Sequence, residues 1–258
     1  MTTMFTPTEP AAASISAPLQ GSESGSSSNS HMFLINFYRR YFELDSEIFL
    51  KKLRTAANPF KEMEEYRDEP LNNEIYGFIW ITGTLVLMMF ISTTGTNLLL
   101  WNPAHEKFSY DFNLLTKSVT IFYGYNLIVP ALLYIASGWI FKFPEPVPLV
   151  HTISVYGYTN ILWLPITGIN FLIVLLVHVE EQKTLISILE WTIVGVSGAI
   201  TCFSNLHQLS PIIKRNCLIN ADNNLELATR QHTLIIGSLA VAHILFTIIV
   251  KWSYFGIT

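Results

Sequence analysis

YGFIWITGTLVLMMFISTTGTNLLL, the stretch from Tyr76 to Leu100, contains no Asp, Glu, Lys or Arg, and Ser118 to Phe141 is equally free of charge. Coiled as a helix at about 1.5 Å per residue, a run of this length crosses a hydrocarbon core of about 30 Å. Working outward, five such stretches appear: about Tyr76 to Leu100, Leu115 to Phe141, Leu149 to Val177, Leu185 to Leu206 and Thr233 to Tyr254. Short connections join them, except for a long fourth one, His207 to His232. The expected fold is an all-α integral membrane protein, a five-transmembrane-helix bundle.

Composition agrees. Half of the 258 residues are hydrophobic and 13% are charged, about half the charged fraction of a soluble domain. The net charge of -4, with no dense basic patch, excludes nucleic acid as a partner. Cys202 and Cys217 form no disulfide or zinc pattern.

Residues 1–30 are rich in Ala, Ser, Thr, Pro and Gly, too poor in apolar groups to offset the entropy of ordering. They also lack the apolar core of a signal peptide. The expectation is a disordered cytosolic tail. Residues 31–74 form a cytosolic amphipathic segment and an acidic linker. From Met32 to about Arg54, Leu34, Phe37, Tyr41, Leu44 and Ile48 recur at helical spacing, with Tyr38, Phe42 and Phe49 widening the stripe. Arg39, Arg40, Lys51, Lys52 and Arg54 make this segment too charged to span. Its apolar face must cover the membrane surface, a partner, or the protein's own membrane domain, residues 75–258. With the tail in the cytosol, 11 Lys and Arg residues lie on the cytosolic side against Lys107, Lys117, Lys183 and Lys251 on the other. That bias favours a cytosolic N-terminus and a lumenal C-terminus.

Intramembrane chemistry requires ionisable groups in mid-span. Here Glu180 and Glu181 end the third stretch, Glu190 lies early in the fourth, and His243 is the one histidine deep inside a span. No catalytic residue, metal ligand set or cofactor motif is assigned. Two other stretches stand out. Tyr123-Gly124-Tyr125 is followed by Pro130, and Tyr156-Gly157-Tyr158 by Pro165. Glycine permits close helix approach, and proline frees a carbonyl that neighbours must satisfy. Both features point to a compact bundle with these two spans at its centre. Asn126, Asn160 and Asn170 are amides in otherwise apolar spans, and they could line a groove for a polar or lipid-derived group. Gly195 and Gly198, with Ser197 and Thr201, add a small-residue packing face.

These motifs together resemble the Yip-domain family, five-span proteins of the early secretory pathway and Golgi that associate with Ypt/Rab GTPases. Glu74-Ile-Tyr-Gly-Phe-Ile-Trp80 is similar to the family's D-L-Y-G-P-x-W, Val155-Tyr-Gly-Tyr158 with Pro165 to its V-Y-G-Y-S...P, and Val194-Gly-Val-Ser-Gly198 to its G-x-S-G. Phe37-Tyr-Arg-Arg-Tyr-Phe-Glu-Leu-Asp45 resembles the Y-Y-x-x-F-F-x-V-D segment of the Golgi YIPF type. Phe78 stands where the family has Pro, and Glu74 where it has Asp. The resemblance implies a non-enzymatic adaptor in vesicle-mediated and ER to Golgi transport, in the Golgi membrane and cycling with the endoplasmic reticulum or late endosomes. Its implied partners are Rab/Ypt-type GTPases, other Yip-family proteins as homo- or hetero-oligomers, and membrane lipids. The residues assigned to partner binding are Tyr38, Tyr41, Phe42, Leu44, Asp45, Glu74, Tyr76 and Gly77. The alternative is a small transporter or lipid-handling protein that uses the groove between the second and third spans.

Overall fold

A computed structural model describes residues 41–42, 45–58, 74–101, 110–176, 183–222 and 224–254. The first 30 residues, Tyr38, Leu44 and the linker Glu62 to Pro70 lie outside the described residues. All the described residues belong to one compact unit, Tyr38–Thr258. Its helices are α1 (Ser46–Ala57), α2 (Tyr76–Leu100), α3 (Phe112–Ile135), α4 (Leu149–Thr159), α5 (Trp163–Leu176), α6 (Lys183–Asn220) and α7 (Leu225–Tyr254). A π-helical turn, Ala136–Ile140, extends α3, and a 3-10 turn, Asn160–Leu162, joins α4 to α5.

Among the described residues four segments have the length and composition to cross a membrane: Tyr76–Leu99, Phe112–Ile140, Thr184–Asn220 and Leu225–Tyr254. The third expected span, Leu149 to Val177, is not one helix. Pro165 lies three residues into α5 and has no N–H to continue the ladder, so the chain tightens into the 3-10 turn just before it. The two halves still run side by side with α2, in the same direction. Ser154 reaches Glu74, Asn160 reaches Thr82, and Ser92 reaches the Thr167 carbonyl.

The expected long connection from His207 to His232 is also different. It is helical almost throughout: α6 continues to Asn220 and α7 begins at Leu225. Hydropathy falls there, yet Leu209, Ile213 and Cys217 recur every fourth residue and are buried against Val155, Tyr156, Ile235 and Leu239. An amphipathic face sustains a helix after uniform apolarity ends. The hairpin is bonded across by Ser210 and His232, 2.9 Å apart.

Exposed aromatics ring the bundle. Trp80 on α2 and Trp101 just after its last residue are exposed, and their 21-residue separation corresponds to about 31 Å of helix, close to the thickness of a hydrocarbon core. Trp139 stands exposed at the α1-bearing end, and Trp191 and Trp252 at the opposite end, as side chains with an apolar ring and a polar N–H do at a membrane interface. A second buried cluster, with Leu85, Met89, Phe122, Trp163, Val194 and Phe246, fills the half toward that opposite end.

Candidate functional site: the seat of the amphipathic helix

Asp45 starts α1 by accepting from the Glu47 amide at 3.3 Å. Only Ala56 of this helix is fully buried. It packs with Ile81 and Tyr158, and Phe49, Leu53 and Ile161 close around them. The Ala56 carbonyl accepts from the Ser204 hydroxyl of α6 at 3.1 Å. Of the three surfaces that the sequence left open for this helix, the inner face meets the protein's own spans.

Glu74 is the centre of the seat. Its carboxylate is fully buried and pairs with Lys52 of α1, Nζ to Oε1 2.8 Å. The same oxygen accepts from the Ser154 hydroxyl of α4 at 3.2 Å. The other oxygen accepts from the Tyr76 amide at 2.8 Å and the Gly77 amide at 3.4 Å. One side chain therefore neutralises a lysine, satisfies two of the unpaired N–H groups that open α2, and sits at the positive end of that helix's dipole. Lys52 also lies over the Tyr158 ring, 5.6 Å from its centre.

Beneath this seat the first and third motifs interlock. A Cβ on Gly77 would collide with the Tyr158 ring, and a Cβ on Gly157 with the backbone of Phe78. Each glycine is the hole for the other motif's aromatic residue or main chain. Phe49 of α1 completes the cluster by ring contacts with Tyr76 and Tyr158 at 5.8 and 5.9 Å. The Phe78 departure has a simple reading: it is the third residue of α2, where an amide has no intrahelical acceptor and a proline would lose nothing. Here the Phe78 ring packs edge-on against Tyr123, 5.3 Å away.

The second motif is placed alongside. Tyr123 donates to the Ile79 carbonyl at 2.7 Å. Tyr125 bonds His243 Nδ1 at 2.7 Å and stacks on Phe246 at 3.9 Å, and its ring lies 5.5 Å from that of buried Tyr156. Gly124 has open space at its Cβ position, as does Gly195, whereas a Cβ on Gly198 would meet Thr247 of α7. Pro130 is buried inside α3, and Pro165 is exposed in the first turn of α5. The amides of Asn126 and Asn160 both donate to Thr82 Oγ1, at 3.4 and 2.9 Å, so two of the three groove amides bond within the bundle. Asn170 is buried, with no hydrogen-bond partner at its Oδ1.

Among the residues assigned to partner binding, Glu74 and Gly77 are buried, Tyr41 and Tyr76 half-buried, and Phe42 and Asp45 exposed. The Tyr41 carbonyl accepts from the Ile75 amide at 3.0 Å. Sequence reading missed Lys52 and Ser154 as the partners of Glu74. It also missed a second buried ion pair, Glu190–Lys251, 3.0 Å. No spacing signals either pair, because their members stand 22 and 61 positions apart, beyond any helical period. Among the described residues no group of three His, Cys, Asp or Glu side chains is placed to hold a metal ion.

Comparison with known proteins agrees with the motifs. Protein YIP5 of Saccharomyces cerevisiae is 26% identical over 239 residues, covering 86% of this chain and 70% of that one. Over most of its length the chain is similar to proteins that carry the Yip name. Protein YIP5 of Schizosaccharomyces pombe is 32% identical over 94 residues, 36% of each chain. The YIPF1 homolog of Dictyostelium discoideum is 25% identical over 151 residues, 57% of this chain and 41% of that one. No family model and no solved structure matches. Together with this likeness, the four membrane-length helices among the described residues fit a multi-pass membrane protein.

Proposed function

We propose that the protein is a non-enzymatic membrane adaptor that binds Rab-type GTPases and other Yip-family proteins in Golgi and vesicle transport. On this reading α4 and α5 together make a fifth crossing, the N-terminus and α1 are cytosolic, the C-terminus is lumenal, and the protein resides in the Golgi membrane. One observation carries the adaptor role. α1 is a short helix, marginal by itself, that Lys52 pins to the spans through Glu74, while Phe42, Ile48 and Leu50 stay exposed. A helix held rigidly by one face presents its flanks to a partner without a further ordering cost.

The test is affinity purification of the full-length chain in mild detergent, beside an Ile48→Asp/Leu50→Asp variant. Both changes lie on exposed positions, so the folded bundle is retained. The expected result is recovery of Rab-type GTPases or Yip-family proteins from the unaltered chain, with at least a tenfold loss in the variant. Equal recovery from both removes α1 as the interface. Recovery of a bound lipid or solute and no GTPase favours the transporter reading, with Asn170 as the first residue to examine.

A further inference from the structure

The seat of α1 uses one of two buried ion pairs among the described residues. The other lies at the opposite end of the bundle and has no part in the proposed partner surface. Glu190 of α6 and Lys251 of α7 are 2% and 4% exposed and 3.0 Å apart. Each is followed in sequence by a tryptophan of the interfacial ring, Trp191 and Trp252, both exposed. Lys251 Nζ also lies over the Trp191 ring, 5.4 Å from its centre. The helices close up beside the pair: a Cβ on Gly198, eight residues on from Glu190, would meet Thr247, one turn before Lys251.

The basic residues of α7 are Arg230 near one end and Lys251 near the other, so by themselves they give the helix no preferred direction. Taken as a hairpin, α6 and α7 carry Lys214, Arg215 and Arg230 at the α1-bearing end, against Lys183 and Lys251 opposite. A lysine that must cross the bilayer opposes insertion. Joined to Glu190 it crosses as half of a neutral pair, and the balance becomes three against one.

We infer that Glu190 and Lys251 form a topogenic pair: α6 and α7 enter the membrane as a hairpin with these charges joined, and Glu190 cancels the pull of Lys251 toward the side of the tail. The inference rests on the proposed lumenal C-terminus, and the experiment separates the two. An N-glycosylation acceptor tag is placed after Thr258 of the full chain, and the glycosylated to unglycosylated ratio is measured in cells. The unaltered chain should be glycosylated. Glu190→Lys should lower the ratio at least fivefold, and Glu190→Lys/Lys251→Glu should bring it back to within twofold. Glu190→Ala should lower it less, and Glu190→Ala/Lys251→Leu should restore it, since no charge then remains to be carried. That last variant loses the packing of the pair and keeps the topology, which distinguishes a topogenic role from a folding defect. An unglycosylated tag on the unaltered chain overturns the orientation itself. A glycosylated tag that Glu190→Lys leaves unchanged, or that neither double variant rescues, overturns the role of the pair alone.

Discussion

The two buried ion pairs are built differently. Glu74 receives Lys52 together with a serine hydroxyl and two backbone amides, whereas Glu190 meets the single ammonium of Lys251. A carboxylate with three further donors remains partly satisfied when its lysine leaves. One with a single cation does not, because in the membrane no water replaces it. The first pair attaches a short helix to the spans, and the second joins two spans to each other. A pair at a helix start can therefore serve as a seat, while a pair between spans acts through its net charge.

The sharpest way to break this comparison is to remove each partner of the first pair in turn. Glu74→Ala leaves Lys52, Ser154 and the opening amides of α2 without their acceptor, and a loss of about 3–5 kcal/mol is expected. Lys52→Met keeps the stem and leaves Glu74 its three other donors, so it should cost clearly less, about 1–3 kcal/mol. Thermal unfolding in detergent measures both. Equal losses would mean that the serine and the amides do little for the carboxylate.

This asymmetry also marks what the sequence could and could not disclose. Tyr76 to Leu100 was read with the bounds it has, because uniform apolarity and the absence of charge leave no alternative to a crossing helix. The motifs around Gly77 and Gly157 were legible as close-packing sites by residue type, but not that each receives the other, since their meeting depends on α4 running beside α2. The break at Asn160–Leu162 was visible only as Pro165, read as a bend within one span. Beyond Leu206 hydropathy was the wrong guide: Leu209, Ile213 and Cys217 keep a helical stripe where the mean falls. By sequence Lys52 is one of several cations on a charged segment. Only the folded chain shows that it enters the seat.

A substitution in the interlock comes next in size. Gly157→Ala places a methyl group against the main chain of Phe78, which cannot rotate aside as a side chain can. Separation of α2 from α4 is the only relief, and about 3 kcal/mol is expected, together with loss of the Lys52–Glu74 contact above it. A cysteine pair introduced at Leu53 and Ile161, which close around the same cluster, would report that loss as slower cross-linking in the Gly157→Ala background. Unchanged cross-linking would show the seat to be independent of the glycine beneath it. Smaller again is Tyr125→Phe, which removes the hydroxyl bonded to His243 and keeps the stacking on Phe246. Interhelical hydrogen bonds in membranes contribute about 0.6 kcal/mol on average and up to about 1.7, and a loss within that range is expected in the same unfolding measurement.

The smallest expected effect separates two glycines that sequence reading treated alike. Gly195 and Gly198 share one motif and one helix, and by spacing either could be the contact. A methyl group at position 195 meets nothing within 4 Å, while one at 198 runs into the Thr247 side chain of α7. Gly195→Ala should therefore lie within about 0.5 kcal/mol of the unaltered protein. Gly198→Ala must displace Thr247, whose hydroxyl donates to the His243 carbonyl, and should cost about 1–3 kcal/mol. The same change pushes α7 away close to Lys251, so the hairpin carrying Gly198→Ala should also be more sensitive to Glu190→Ala than the sum of the two separate losses. If the two glycine variants unfold at the same temperature, α7 is not seated on Gly198. The Glu190–Lys251 pair would then have to hold the hairpin together without the close approach beside it.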